Sequence, residues 1–479
     1  MTTPTTGELL RAYRRSADYI EALRRERAMD GSDDVSPFWR AVLDEPKRRS
    51  HPTFDEMLVM RRGFTYPLGD RAKAGDGEAD REYARAAHAV VSRSMDPAVL
   101  DGFDESALGA PPVERFGDQA LSGGGIVNAL TVHRIERALA AHGPDRPLRV
   151  LEIGAGYGAV ADQLLRRLPV AVYAICDLPE NLFLSGYFVP ANHPGRTVAF
   201  LLPDAADAAE LQFVVPPYLE LLDGPFDLIV NTYSFQEMNR SSVERYLAFA
   251  AQRLASDGLL FSLNAHGKAG ITAPRQYLAP GLKLLSVAPV RRLPWQVAGT
   301  NPYELLMRPA PGGTVDPEQG RRLDRVGALM QLGLHDELAS LCAATVDLGL
   351  PFDEPHAVTG VVRALSDVAR GGGDDDALRR AADPLGDGHA RVLISLARAA
   401  LAAERFDAAR MREHVAAGAA VAPHLEHEIA ALARDPDGVR ALLASRLDVP
   451  PTPAAAPLRR RLDAVVRHVR LTLASRTRS

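Results

Sequence analysis

Residues 148–158 read Leu-Arg-Val-Leu-Glu-Ile-Gly-Ala-Gly-Tyr-Gly. An apolar run carries an acid, Glu152, and ends in glycines at alternate positions, Gly154, Gly156 and Gly158. The pattern reads as a strand, a tight turn and a helix start. Glycine has no Cβ, so the backbone can turn sharply and lie against a ligand. The spacing differs from the G-x-G-x-x-G that cradles a dinucleotide pyrophosphate. A carboxylate ahead of the turn would face a cationic or hydroxylated ligand. Such a turn suits S-adenosylmethionine (SAM), which has no phosphate and carries a sulfonium and an amino group. The contacts expected here are Glu152, Gly154, Ala155, Gly156 and Gly158.

More chemistry-bearing residues follow at the ends of further apolar runs. The run 170–176 ends at Asp177 and Leu178. In a βαβ nucleotide site an acid there takes the ribose hydroxyls. Asp177-Leu178-Pro179-Glu180 also resembles a helix start, and both readings can hold together. Run 211–215 stops at Pro216-Pro217. Run 226–230 leads into Asn231-Thr232-Tyr233-Ser234-Phe235-Gln236-Glu237-Met238, and run 258–263 leads into Asn264-Ala265-His266-Gly267-Lys268. Helical patterns at 159–168, 180–188 and 241–255 separate the runs. Alternating strands and helices predict a doubly wound, mostly parallel sheet, a Rossmann-like α/β domain. Ligands bind at the carboxyl ends of its strands, where every polar cluster just named falls.

Asp177-Leu178-Pro179-Glu180-Asn181 followed by Ser234-Phe235-Gln236-Glu237-Met238 resembles the sugar O-methyltransferase family, a branch of the class I SAM-dependent methyltransferases. The resemblance covers roughly residues 110–310, including a late strand at 303–308. The glycine motif is common to the whole superfamily, whereas the two later motifs together are far more specific. The resemblance implies SAM as cofactor and a hydroxyl, often on a sugar, as methyl acceptor. It implies that Asp177, Leu178 and Asn231 join the glycine turn in holding the cofactor. The family segment after the fifth strand usually reads Asn-Arg. Here it reads Asn264-Ala265, so a substrate contact by that arginine does not transfer.

Methyl transfer from a sulfonium needs oxygen, carbon and sulfur nearly collinear, so positioning supplies much of the catalysis. An alcohol is a weak nucleophile, and a base that takes its proton contributes roughly 10²–10⁴. His266 ranks first as that base, because its ordinary titration range suits neutral pH. Glu237 is the second candidate and would otherwise bind sugar hydroxyls or cap the helix near Ser241. Tyr233 would stack against or orient the acceptor. Two other readings stand. One is methylation of a carboxylate or amine on a peptide or carrier-bound metabolite, where a carboxylate needs no base. The other is a non-catalytic SAM-binding scaffold.

The chain has 479 residues, enough for two or three domains. A net charge of −5 gives no electrostatic argument for nucleic acid. No apolar run approaches the ~20 residues that span a bilayer, and the start of the chain lacks a signal-peptide pattern, so a cytoplasmic protein off the membrane is expected. High alanine and arginine with little lysine suggests a GC-rich bacterial source. The cysteines are Cys176 and Cys342; Cys176 falls in a predicted strand and reads as packing rather than a disulfide. His414, His424 and His427 lie near one another without metal-ligand spacing, so no metal is expected. No nucleophile elbow or P-loop occurs.

Three regions are expected. Residues 1–110 read as a helical region, with helical spacing at 7–28 and 79–94 and a polar, glycine-rich loop at 69–80. Residues 111–310 form the sheet domain; its opening run, Ser122-Gly123-Gly124-Gly125-Ile126-Val127-Asn128, is either a linker or, by the family resemblance, a border of the active site. After Pro309-Ala310-Pro311-Gly312-Gly313 comes 315–479, without strand pattern. It reads as an all-helical array of hairpins. Segment 396–423 has tetratricopeptide-like features in Phe406, Ala409, Ala416 and Pro423. Gly371–Asp376 reads as a solvated loop, and Arg459-Arg460-Arg461 as a solvated basic face. The C-terminal helices offer a surface for self-association or a partner protein.

Overall fold

The computed structural model describes residues 4–29, 36, 40, 51–63, 77–94, 97–100, 102–204, 208–266, 269–290, 302–317, 319–320, 323–324, 364–365, 367–368, 371–382, 389–405, 407–421, 429–430 and 433–447. They fall into two compact units. The first holds the described residues up to Val287 together with Pro302–Asp316; the second holds Ala288–Val290 and those from Pro317 onward.

The first unit is built on an eight-stranded sheet. A short hairpin precedes it, β1 (Glu114–Phe116) with β2 (Gln119–Leu121). The sheet strands are β3 (Leu148–Ile153), β4 (Val170–Cys176), β5 (Val198–Phe200), β6 (Leu211–Val214), β7 (Phe226–Thr232), β8 (Leu254–Asn264), β9 (Leu282–Pro289) and β10 (Tyr303–Pro309). Their order is β5-β6-β4-β3-β7-β8-β10-β9. The pairs from β5 through β8 are parallel, and β10 runs antiparallel to β8. The expected doubly wound, mostly parallel sheet is present. The sequence reading omitted the β1–β2 hairpin, β5 and β9.

The central strands β3 and β7 are buried almost throughout, as parallel strands covered on both faces must be. Helices α1 (Thr6–Glu26), α2 (Glu78–Ser94), α3 (Gly123–His142), α4 (Ala159–Arg167), α5 (Pro179–Asn192) and α6 (Arg240–Arg253) belong to the same unit. Helices α3, α4, α5 and α6 pack on β8, β4, β6 and β10 respectively.

Helix α5 is apolar on all sides and buried from Asn181 to Ala191. A helix of that kind needs cover on its outer face. Helix α1 supplies it: Tyr13 meets Phe183 edge-on at 5.7 Å, and the Tyr19 hydroxyl donates to the Leu201 carbonyl at 3.2 Å. Gly186 permits the close approach, since a Cβ there would stand 2.8 Å from Ser16 Oγ. The N-terminal helices therefore share the core of the sheet unit. Most of the loop expected at 69–80 lies outside the described residues, and α2 begins within it at Glu78.

The second unit contributes helices α7 (Asp375–Ala382), α8 (His389–Glu404), α9 (Ala408–Val421) and α10 (Pro436–Leu447). Helices α8 and α9 pack together as a hairpin, and α10 packs on α8. The aspartates at 374–376 are not simply solvated. Asp374 accepts from the backbone N–H groups of Asp376 and Ala377 at the start of α7, and Asp375 pairs with Arg398 at 2.7 Å. Phe406, Pro423, His424, His427, Cys342 and Arg459–Arg461 lie outside the described residues, as do all of 325–363 and 448–479.

Candidate functional site

The strand order reverses at β3, whose neighbours are β4 on one side and β7 on the other. In such a sheet a crevice opens at the carboxyl ends of the strands. A cavity of about 260 Å³ lies there, walled by the turn after β3, the end of β4 and the segment after β7.

The turn works through its glycines. Gly154, Gly156 and Gly158 have φ of 74°, 59° and 90°, a region that side chains with a Cβ resist. Each answers a different constraint. A Cβ on Gly154 would collide with Ser234 Oγ, and one on Gly158 would stand 2.5 Å from Val189 Cγ2. A Cβ on Gly156 would meet no atom within 4 Å, because that position faces the open cavity. Gly158 is also the N-cap of α4.

Asp177 ties the end of β4 to this turn. Its Oδ2 accepts from the Gly156 N–H at 2.8 Å, and its Oδ1 accepts from the Leu178 N–H at 2.7 Å and Asn181 Nδ2 at 2.9 Å. Asp177 thus braces the segment entering α5, whose N-cap is Leu178, and also lines the cavity. Burial pushes its carboxyl up to about 6, against the pull of those three donors. Glu152 lines the cavity from below and is 1% exposed; the Tyr173 hydroxyl donates to its Oε2 at 2.7 Å. Burial pushes its carboxyl up to about 7; the Tyr173 hydrogen bond opposes the shift and the charge of Asp177 adds to it.

The segment after β7 forms the opposite wall. Phe235–Glu237 is a single 3₁₀ turn. Phe235 is its anchor, stacked between Tyr246 and Tyr277. Around that anchor Tyr233, Ser234, Glu237 and Met238 line the cavity. Tyr233 has φ of 60°, uncommon for a residue with a Cβ. Its N–H is held by the Leu263 carbonyl at 2.7 Å. Backbone strain of this kind is kept where surrounding structure over-determines it.

Two expected site residues lie elsewhere. Asn231 is fully buried and does not line the cavity. Its Nδ2 donates to the Ile153 carbonyl at 2.8 Å and to Ser234 Oγ at 2.6 Å, and its Oδ1 accepts from Asn264 Nδ2 at 2.8 Å. It joins the ends of β3, β7 and β8 rather than touching a ligand. His266 likewise does not line the cavity; its ring lies 5.9 Å from that of Tyr303. Of the two expected base candidates, Glu237 lines the cavity and His266 packs against Tyr303. Ala265 is 1% exposed; its N–H donates to Gln236 Oε1 and its carbonyl accepts from the Tyr277 hydroxyl. Gly267 and Lys268 lie outside the described residues.

Glu152, Gly154, Ala155, Gly156, Asp177 and Leu178 all line the cavity; Gly158 lies behind its wall. Asn128, at the end of the glycine run expected as a linker or a border of the active site, lines it too, as do Tyr157, Asn181 and Tyr246, which were not expected there. Asn128 rides on α3, whose glycine run is the helix start and not a linker. A Cβ on Gly123 would strike the Tyr83 ring, and one on Gly125 the Glu105 carboxylate. Among the described residues no group of three or more His, Cys, Asp or Glu is placed to hold a metal ion.

No protein-family model matches the chain. Over 142 residues it is 35% identical to a malonyl-[acyl-carrier protein] O-methyltransferase of Geobacter sulfurreducens, a stretch covering 29% of this chain and 47% of the relative. The match thus spans about half the length of that curated relative. Among solved structures, a TehB-like SAM-dependent methyltransferase from Corynebacterium glutamicum is 19% identical, with TM-score 0.25, 38% of this chain covered and 97% of that one. Magnesium protoporphyrin IX methyltransferase from Synechocystis PCC 6803 with bound SAM is 12% identical, with TM-score 0.28, 55% of this chain covered and 100% of that one. TrmN from Thermus thermophilus is 18% identical, with TM-score 0.28, 40% of this chain covered and 49% of that one. The strand order and parallel pairing are by themselves those of a doubly wound, Rossmann-like α/β unit.

The residues that line the cavity fit the SAM expected from the glycine turn. Gly156 leaves open the space that a Cβ would fill, and Glu152 and Asp177 place carboxylates against a ligand that carries a sulfonium and an ammonium.

Proposed function

We propose that this chain is a SAM-dependent O-methyltransferase acting on a hydroxyl, carried on a sugar or a glycosylated metabolite. The observation that carries the reading is the cavity at the β3–β4–β7 switch point, where Asp177 braces the Gly156 turn on one side and Glu237 and Tyr233 stand on the other. Bound SAM would supply an electrophilic methyl group, its C–S bond breaking to leave the neutral thioether as the C–O bond forms. The protein holds the acceptor oxygen in line with it. Glu237 receives the hydroxyl proton on its carboxylate as the oxygen attacks. Tyr233, fixed by its strained backbone and by Leu263, orients the acceptor. Asn231, Asn264 and Gln236 keep this wall in register with β3 and β8. The sugar itself is supported by the Asp-Leu-Pro-Glu-Asn and Ser-Phe-Gln-Glu-Met motifs.

A second reading, methylation of a carrier-bound carboxylate, is suggested by the Geobacter relative, which is named a malonyl-[acyl-carrier protein] O-methyltransferase. There the nucleophile is already ionised and Glu237 has no proton to take. Incubating the purified chain with methyl-labelled SAM and a panel of sugars, glycosides, peptides and carrier-bound acids separates the two. Label on a hydroxyl supports the first reading and a methyl ester the second; no transfer and no SAM binding would remove both.

A further inference from the structure

Behind the cavity wall lies a buried ion pair that the reaction chemistry leaves unused. Arg61 and Glu105 pair with side chains 5% and 4% exposed. Arg61 Nη1 also donates to the Ser106 carbonyl at 2.7 Å. Glu105 accepts from the Ser122 N–H and from Ser122 Oγ, each at 2.6 Å. Ser122 is the N-cap of α3, the helix that carries Asn128 into the cavity. On its other side the Arg61 guanidinium lies over the Tyr157 ring at 5.4 Å and near Phe188 at 5.9 Å. Phe188 meets Tyr157 edge-on, with centroids 5.1 Å apart at 87°. Tyr157 stands between Gly156 and Gly158 and lines the cavity.

A pair of buried charges is an expensive way to fill space; apolar residues of equal volume are often as stabilising. A guanidinium plane offers what an apolar residue does not, a cation set against an aromatic face. The tyrosine needs such a backing, because the glycines on either side leave its backbone unusually free. We infer that Arg61 is a positioning residue for the cofactor: paired with Glu105, it holds Tyr157 against the cavity wall and locks that wall to the start of α3. A segment from the N-terminal helices thereby completes the cofactor site. The inference rests on the reading of this cavity as the SAM site.

The test is calorimetric SAM binding with thermal melts on wild type, Arg61→Lys, Tyr157→Leu and the double variant. Arg61→Lys keeps a cation opposite Glu105, so the fold survives, but it loses the guanidinium plane. The expected result is SAM affinity about three- to tenfold weaker at a nearly unchanged melting temperature, the scale of one cation–aromatic contact. In the Tyr157→Leu background the same change should cost no further affinity. Equal losses in both backgrounds would mean that Arg61 does not act through Tyr157. A lowered melting temperature with SAM affinity intact would leave Arg61 a purely structural residue and overturn the inference. Wild type that binds no SAM would instead sink the cofactor reading, and this inference with it.

Discussion

The Asp177 carboxylate and the Gly156 N–H, 2.8 Å apart, join the second strand of the site to the turn after the first. Each end of the bond depends on the other. Asp177 holds a glycine in the left-handed region, and that glycine leaves space open in front of it. Hydrogen bonds to charged groups are worth ~1.5–3 kcal/mol. Asp177→Ala should therefore weaken SAM binding roughly 10–100-fold while kcat at saturating cofactor changes little. Calorimetry and initial rates check this. Undiminished affinity would mean that the turn keeps its shape without the carboxylate.

Gly154 and Gly156 should fail in different ways. Alanine at 154 drives a methyl group into Ser234 Oγ, which also receives the Asn231 amide. The cost falls on the fold, and the melting temperature should drop. The Cβ of a valine at 156 would meet no protein atom within 4 Å, and the residue bears the left-handed backbone penalty, about 1–2 kcal/mol. Its branches instead occupy the cavity, so SAM affinity should fall far more than stability. Wild-type SAM affinity in Gly156→Val would detach this turn from the cofactor.

The site should expel protons as it fills. Glu152 and Asp177 are pushed by burial from 4.5 to about 7 and from 3.8 to about 6. A raised carboxyl binds its proton more tightly in the folded state than in the unfolded one. The ligand-free protein therefore loses stability from these groups as pH climbs from the unfolded values through the folded ones. A cationic ligand reverses the preference and favours both carboxylates. SAM affinity should rise from about pH 6 to about pH 7.5 and level off above, with protons released at the lower pH. Calorimetry in two buffers of different ionisation enthalpy measures that release. No release near pH 6 would contradict a cationic ligand at these acids.

The sheet was legible because each central strand is a continuous apolar run that ends in Gly, Asp or Asn. The three residues of β5 and of each hairpin strand give too little alternation to read. The cavity lining after β3 and β4 was legible for the same reason as the sheet, since its residues follow strand ends directly. Side-chain direction was not. Asn231 and Tyr233 stand two apart at the end of β7, yet one is sealed among Ile153, Ser234 and Asn264 and the other faces the cavity. Spacing assigns residues to a strand end, but only packing decides which of them turns inward. The glycine run at 123–125 read partly as a linker because its partners, Tyr83 and Glu105, come from distant sequence. Arg61 carried no signal at all, for its role exists only once Glu105 and Tyr157 are beside it.

The proton acceptor is the sharpest remaining choice, and the geometry favours Glu237 over His266. Glu237 lines the cavity on a 3₁₀ turn pinned by Phe235, whereas His266 lies against Tyr303 outside the lining. A general base must reach the hydroxyl proton directly or through one water. Glu237→Gln keeps the shape of the side chain and removes its basicity. With a hydroxyl acceptor it should lower kcat by about 10²–10⁴ while SAM affinity holds. His266→Ala should lower kcat much less. The reverse pattern, a crippled His266→Ala beside an active Glu237→Gln, would return the base to the histidine and require the loop after β8 to move during turnover. If both variants keep the wild-type rate, no proton is taken by either group. The acceptor must then arrive ionised, and the carrier-bound carboxylate becomes the better reading of the substrate.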